Sequence, residues 1–192
     1  MKKKSRGKRI ITLLSAFILT ATFLFGTFTF IERKILYPLG YKTEIFAAAD
    51  GYGLERAFIF AVVKTESGFN KDAVSRKNAK GLMQITDSTG AYIAYLKGVE
   101  EYDLRDYRVN LDFGCFYLKY LFNKFKDKKT ALCAYNAGEG TVERWLNSGA
   151  YSPDGITLSL VPYKETDNYV KKIIEYEKKY KKLYGNILDK NK

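Results

Sequence analysis

One segment near the N-terminus, Ile10–Ile31, contains no charged residue and no proline. About 20 consecutive apolar residues are enough to cross the hydrocarbon core of a bilayer as one helix. The nine residues before this segment include six Lys or Arg and no acidic residue, a bias that keeps an N-terminus in the cytoplasm. We therefore predict a cytoplasmic basic tail (1–9), a single-pass transmembrane signal anchor (10–31) and an extracytoplasmic remainder at the cell membrane.

Two other interpretations of this segment are weaker. A cleaved signal peptide needs a shorter apolar stretch that ends in small residues. Here the stretch continues to Phe30 and is followed by the charged residues Glu32-Arg33-Lys34, which favours an uncleaved anchor. A buried helix of a soluble protein would not need this length or the basic flank.

The rest of the chain has the pattern of successive helices. Apolar residues in Leu54–Glu66 recur at the spacing of one helix face, and no alternating strand pattern exceeds four residues. The sequence thus predicts an all-α fold: a linker over 32–40, one domain over 41–185 and a tail over 186–192. The expected helices are 43–50, 54–66, part or all of 81–96, 110–125, 130–137, 141–147 and 167–184, with loops at 70–81 and 149–162.

Composition excludes several classes of protein. The chain has no histidine, so a Ser-His-Asp triad or a Cys-His pair cannot form, and a zinc site would lack its commonest nitrogen ligand. The two cysteines, Cys115 and Cys133, lie among apolar residues, which is typical of buried thiols, although a disulfide is open to an extracytoplasmic domain. We expect no metal and no cofactor.

The charge outside the N-terminal tail is moderately positive. Without the six basic residues of 1–9, 27 Lys and Arg stand against 21 Asp and Glu, a formal charge of +6. This excess suits an anionic partner such as a cell-wall polymer. The densest basic run, 171–182, is interrupted by apolar residues at helical spacing, which is typical of the solvated face of a helix and does not predict nucleic-acid binding.

Four short segments occur in a fixed order: Glu66-Ser67-Gly68-Phe69-Asn70, Gly81-Leu82-Met83-Gln84-Ile85, Ala134-Tyr135-Asn136-Ala137-Gly138 and Glu165-Thr166-Asp167-Asn168-Tyr169. Together they resemble the motifs of the soluble-type lytic transglycosylases, a branch of the goose-lysozyme-like superfamily. The resemblance covers roughly residues 40–184 and implies a lysozyme-like helical domain that acts on the glycan strands of peptidoglycan. Asn110–Gly114 also resembles the helix between the second and third motifs. One departure is visible, because this chain has Thr86-Asp87 where the family usually has Met-Pro.

Glu66 is the candidate catalytic residue. Breaking a glycosidic bond requires a proton on the leaving oxygen, so a carboxyl group must stay protonated near neutral pH. Glu66 follows the apolar run Ala61-Val62-Val63, and burial there is expected to raise its pKa. The resemblance implies that this single glutamate acts first as acid and then as base. It also implies that the acetamido group of the substrate stabilises the positive centre and that the 6-hydroxyl closes a 1,6-anhydro sugar without water.

The resemblance also implies substrate-binding roles for five residues. Ser75 is expected to hydrogen-bond Glu66 or the sugar, Gln84 to contact the glycan, and Tyr135 to place its hydroxyl near the acid. Asn136 is expected to fix the adjoining turn, and Glu165 to line the groove.

Two other functions remain open from the sequence. A hydrolytic goose-type lysozyme would need a second carboxylate, for which Asp72 and Asp87 are the nearest candidates. A non-catalytic glycan-binding scaffold would have lost Glu66, which is present. Either general wall turnover or work within cell-wall or secretion machinery is compatible with a membrane-anchored enzyme.

Overall fold

The computed structural model of the chain describes residues 2–189 and divides into two compact units between Leu39 and Gly40. The predicted tail over 186–192 therefore lies partly outside the described residues, as does Met1. In the first unit, helix α1 (Lys2–Ile31) continues into a π-helical segment, Glu32–Leu36. By length and composition, Thr12–Leu36 is long and apolar enough to cross a membrane.

The second unit contains helices with irregular connections. Within residues 2–189 the structure contains no strand, and two isolated antiparallel bridges join Lys80 to Val74 and to Ile85. The prediction of an all-α fold is confirmed. The helices are α2 (Lys42–Gly51), α3 (Arg56–Glu66), α4 (Asp87–Lys97), α5 (Tyr107–Phe125), α6 (Lys128–Ala137), α7 (Glu139–Leu146) and α8 (Lys164–Leu188).

Helix α3 runs through the centre of the core. All residues of Ala57–Val63 are buried, so this helix is apolar on every side rather than on one stripe. It packs against α8, where the rings of Phe60 and Tyr180 lie 5.4 Å apart, and Phe58 packs against Phe122 of α5 at 5.5 Å. Because α3 is enclosed in this way, Glu66 at its last position lies where the core meets the surface.

Helices α5 and α8 begin three residues earlier than predicted, and side-chain caps start α5 and α4. Helix α5 begins at Tyr107 because the Asp106 side chain accepts hydrogen bonds from the next backbone amides. Helix α8 begins at Lys164, which places Glu165 in its first turn. Thr86 caps α4 by accepting from the Thr89 amide at 3.2 Å, so Thr86-Asp87 starts the helix where the family usually has Met-Pro.

Cys115 of α5 and Cys133 of α6 are separate, buried thiols. Burial raises the pKa of both, that of Cys133 to about 12, so neither is a thiolate near neutral pH. They therefore serve as small apolar side chains in the core.

Candidate active site

The carboxyl group of Glu66 is partly buried at the C-terminal end of α3. Burial raises its pKa from an ordinary value of 4.5 to about 7, because the charged form loses hydration. Two groups on α8 oppose this shift by favouring the carboxylate: the Tyr169 hydroxyl, which donates a hydrogen bond to Oε1 at 2.5 Å, and the positive charge of Lys172. With a pKa near 7, Glu66 can both give and take a proton at neutral pH.

The residue after Glu66 ties the end of α3 to the second motif. The Ser67 hydroxyl lies 2.9 Å from the Leu82 carbonyl and 3.2 Å from that of Val63. Gly68 follows with a φ of 60°, a left-handed conformation that glycine adopts without strain. The backbone beside Glu66 is therefore linked directly to the segment Gly81–Ile85, which we call the motif-2 loop.

Asn110, fully buried on α5, clamps the motif-2 loop. Its Oδ1 accepts from the Met83 amide at 2.8 Å, and its Nδ2 donates to the carbonyls of Lys80 and Leu104 at 2.8 and 3.0 Å. A Cβ atom at Gly81, where φ is 76°, would meet the Asn110 side chain. Glycine is required at that position by both its backbone conformation and the close approach of Asn110.

Tyr135 holds the same loop from α6. Its hydroxyl donates to the Met83 carbonyl at 2.8 Å. Burial raises the pKa of Tyr135, and the negative charge of Glu66 adds to the effect, so the two side chains are close enough to interact electrostatically. The pKa of Tyr169 is raised by the same two causes. Both tyrosines are therefore neutral hydrogen-bond donors beside the acid.

The other predicted site residues have contacts of their own. Gln84, at a φ of 49°, donates through Nε2 to the carbonyls of Gly81 and Ala73 at 2.9 and 3.2 Å. The Ser75 hydroxyl accepts from the amides of Ala79 and Lys77 at 3.0 and 3.2 Å. These hydrogen bonds hold Gln84 and Ser75 to the backbone of the loops that precede α4.

Two predicted residues lie at the junction of α6 and α8. Asn136 Oδ1 accepts from the Thr166 hydroxyl at 2.8 Å, and Thr166 is buried in the first turn of α8. Glu165, its neighbour, is exposed. Thus Tyr135 bonds to the motif-2 loop, to which Ser67 next to Glu66 also bonds, whereas Ser75, Gln84 and Asn136 bond to the surrounding loops and to α8.

The sequence predicts no role for Tyr169, Lys172 or Asn110, which the structure connects to the acid or to the motif-2 loop. A signal for Tyr169 was present, since it follows Glu165 by four residues and such residues share a helix face. Asn110 belongs to the segment that resembles the family. Nothing in the sequence distinguished Lys172 from the other lysines of α8.

The two candidates for a second carboxylate are exposed and ion-paired. Asp72, with 73% of its side chain exposed, pairs with Lys71 at 2.9 Å. Asp87, 60% exposed, pairs with Lys80 and accepts from Asn78 Nδ2 at 2.9 Å. Among the residues that the structure describes, no group of three or more Asp, Glu, His or Cys side chains is arranged to hold a metal ion.

Comparison with known proteins agrees with the motifs. The family model "Transglycosylase SLT domain" matches residues 43–155. The chain is 29% identical over 155 residues to the soluble lytic murein transglycosylase of Salmonella typhimurium, covering 78% of this chain and 24% of that protein. It is 31% identical over 160 residues to the membrane-bound lytic murein transglycosylase C of Pectobacterium atrosepticum, covering 70% and 45%.

A solved structure shows the same fold. The lytic transglycosylase Slt of Pseudomonas aeruginosa, crystallised as an inactive glutamate-to-glutamine mutant, superposes with a TM-score of 0.66 at 28% identity. The match covers 80% of this chain and 25% of that one. The chain thus spans about a quarter of the length of the soluble relatives that it matches. From the extent of the family match and the shared fold, the chain belongs to the transglycosylase SLT domain family.

Proposed function

We propose that this chain is a membrane-anchored lytic transglycosylase of peptidoglycan. It cleaves the β-1,4 bond between N-acetylmuramic acid and N-acetylglucosamine without water and leaves 1,6-anhydromuramic acid ends. The observation that carries the proposal is the partly buried Glu66 with a pKa of about 7, in hydrogen-bond contact with Tyr169.

The reaction uses Glu66 twice. Protonated Glu66 gives its proton to the glycosidic oxygen while the bond from that oxygen to C1 of the muramic residue breaks. The 2-acetamido group of the same sugar stabilises the positive charge at C1. The 6-hydroxyl then bonds to C1, and its proton returns to the Glu66 carboxylate. No atom is gained or lost overall, and the acid is regenerated.

The surrounding residues orient this acid and the strand. Tyr169 holds one carboxyl oxygen of Glu66, and Tyr135 and Asn110 fix the motif-2 loop beside it. We assign substrate contacts to Ser75, Gln84 and Glu165 and a supporting role to Asn136. The hydrogen bonds that hold Gln84 and Ser75 support this assignment, because they pre-set the conformation of the loops that would meet the glycan.

The positions of the two candidates for a second carboxylate, Asp72 and Asp87, favour this reaction over hydrolysis. A hydrolytic enzyme would need another acid to activate water or to attack C1. Asp72 and Asp87 are held in exposed ion pairs, where a carboxylate is hydrated and not directed at a substrate. A binding scaffold would have no use for a carboxyl group whose pKa is raised to near neutrality.

The anchor determines where the enzyme acts. We propose that 10–31 spans the cell membrane once with 1–9 in the cytoplasm, and that 41–185 is an extracytoplasmic catalytic domain joined by 32–40. The length and apolar composition of Thr12–Leu36 support an anchor, and the six basic residues before it support the orientation. Such a location suits both wall turnover and the opening of local gaps for secretion machinery.

Three carboxyl-to-amide substitutions test the mechanism. Glu66→Gln preserves the shape of the side chain but removes the proton donor, so turnover of peptidoglycan by the full-length chain should fall by at least about 10². Asp72→Asn and Asp87→Asn serve as matched controls and should retain near-normal turnover. Near-normal turnover in Glu66→Gln, or a comparable loss in either control, would reject the single-acid mechanism.

A further inference from the structure

One face of α8 passes the acid and carries a cation beyond it. Glu165, Tyr169, Lys172 and Tyr176 follow at spacings of four, three and four residues, which places them on one side of the helix. Tyr169 contacts Glu66 directly, and Lys172 lies one turn further along. A substrate group that extends from Glu66 along this face would meet Lys172.

A second lysine joins Lys172 from the neighbouring helix. Lys64, on α3 two residues before Glu66, places its Nζ 4.9 Å from the centre of the Tyr176 ring. The Nζ of Lys172 lies 5.5 Å from the centre of the same ring. Two ammonium groups from two helices thus share one aromatic side chain, and we call Lys64, Lys172 and Tyr176 the lysine pair site.

Grouping these two cations has an electrostatic cost. Burial lowers the pKa of Lys64, and the charge of Lys172 lowers it further. The same Lys172 charge favours the deprotonated form of Glu66, which opposes the work of a general acid. A bound anion would offset both effects, because it attracts both ammonium groups and screens the charge of Lys172 from Glu66.

We propose that the lysine pair site binds a carboxylate on the substituent of the muramic residue at which the bond is cut. This inference rests on the proposed function and names the group that the site would recognise. Ammonium groups pair with carboxylates through charge-assisted hydrogen bonds, and the Tyr176 ring offers an apolar surface to the atoms that carry the carboxylate. The muramic substituent supplies such a group, either on its lactyl ether or on an attached peptide.

The charge along α8 would also orient the strand. Exposed Glu165 lies seven residues before Lys172, about 10 Å along the helix axis. A carboxylate is repelled at the Glu165 end and attracted at the lysine pair site. The muramic substituent therefore points toward the C-terminal half of α8.

Occupation of the site would affect the acid as well as affinity. Glu66 is faced by Tyr169 and Lys172 from α8 and by Tyr135 from α6, with Lys64 on its own helix. The two tyrosines are neutral near pH 7, since their pKa values are raised. Among these neighbours, Lys172 is the one whose influence on Glu66 an anion can remove.

The test compares strands of different charge. Binding of glycan strands with free peptide carboxylates, strands with amidated carboxylates and strands without peptides is measured with full-length Glu66→Gln protein in detergent. We expect the free-carboxylate strands to bind about tenfold more tightly than the amidated ones. Adding Lys172→Met should abolish this preference, and Lys172→Arg should restore it.

Lys171 provides the matched control. It neighbours Lys172 but pairs with Asp167 at 2.6 Å, so Lys171→Met should leave the preference unchanged. The inference fails if two results are found together. Strands with free and with amidated peptide carboxylates bind equally, and the affinity for peptide-free strands does not depend on Lys172. An equal loss in Lys171→Met and Lys172→Met would also overturn it, because general surface charge would then explain the effect.

The peptide-free strands identify the carboxylate. Dependence on Lys172 that persists with them assigns the lactyl carboxylate, and dependence that requires the peptide assigns a peptide carboxylate; both support the site. Because binding does not require cleavage, this test can distinguish failure of the site from failure of the proposed reaction. If wild-type protein binds strands with this preference but forms no anhydro ends, the reaction is rejected and the site is retained. With turnover intact, Lys172→Met should raise KM more than it lowers kcat.

Discussion

At the scale of single residues, the chemistry depends on opposing influences on Glu66. Burial against the end of α3 favours the protonated acid, whereas the Tyr169 hydrogen bond and the Lys172 charge favour the carboxylate. The resulting pKa of about 7 suits a group that must donate and accept a proton in one cycle. Of Tyr169 and Lys172, only Tyr169 forms a direct hydrogen bond to Oε1, and this bond also orients the carboxyl group of Glu66.

The pH dependence of turnover should report this balance. The protonated form of Glu66 is the active acid, so kcat is expected to be high below pH 7 and to fall as the pH rises through about 7. Tyr169→Phe removes a hydrogen bond that stabilises the carboxylate, which should raise the pKa and move the alkaline limb to higher pH. Tyr135→Phe is the control, since its hydroxyl bonds to Met83, and should leave the limb in place. A limb that does not move in Tyr169→Phe would contradict the assigned contact.

Burial of Glu66 should also be visible in stability. Its pKa is raised on folding, so the proton stabilises the folded state below about pH 4.5, and this contribution is lost as the pH rises through 7. Glu66→Gln, which never ionises, should therefore gain stability relative to wild type between these values, on the order of 1–3 kcal/mol by pH 8. Denaturant unfolding at pH 4 and pH 8 measures the difference, and a difference that does not change with pH would count against a buried carboxyl.

Some features of individual site residues could be predicted from the sequence and others could not. The burial of Glu66 was predictable because the apolar run Ala61-Val62-Val63 lies just before it in the chain. Tyr169 and Asn110 were not assigned, because their partners lie 103 and 27 residues away along the chain and only folding brings them together. Tyr135 was expected beside the acid, and its bond to the Met83 carbonyl depends on a contact across 52 residues.

At the scale of elements, the motif-2 loop depends on α5 for its shape. Asn110 satisfies the loop backbone, and Gly114 on the same helix faces Met83 so closely that a Cβ atom would overlap its side chain. The helices themselves were largely predictable from apolar spacing, which is local information. The first residues of the helices were less predictable. The capping side chains of Asp106 and Thr86 determine where α5 and α4 begin.

Two glycine-to-alanine substitutions distinguish the effect of tight packing on stability from the effect of helix propensity. Gly114→Ala should destabilise the fold by about 1–3 kcal/mol and lower turnover, because the added methyl displaces Met83 and the motif-2 loop. Gly185→Ala on α8 is the control: its Cβ would lie 3.7 Å from Asp189 Oδ2, an ordinary contact, so it should stabilise the fold by up to about 1 kcal/mol. Thermal unfolding of both variants measures these changes in stability. A stable, fully active Gly114→Ala variant would show that the motif-2 loop tolerates the displacement of Met83.

At the scale of the whole molecule, the proposed function combines an extracytoplasmic catalytic domain with a membrane anchor. The full-length chain should fractionate with membranes, resist extraction by high salt and dissolve in detergent. Burial of about 20 apolar residues is effectively irreversible, whereas adsorption through basic residues is screened by salt. A mature chain that begins between Ala21 and Lys34 and is recovered from the medium would instead establish a cleaved signal.

In the proposed reaction one carboxyl group cleaves the glycan without water, and the products record whether water takes part. Full-length protein is incubated with peptidoglycan in ¹⁸O-labelled water, and the released fragments are analysed by mass spectrometry. The proposed mechanism predicts 1,6-anhydromuramic ends that carry no ¹⁸O, because the 6-hydroxyl and not a water molecule bonds to C1. Fragments that carry ¹⁸O at a reducing end would establish hydrolysis and rule this mechanism out.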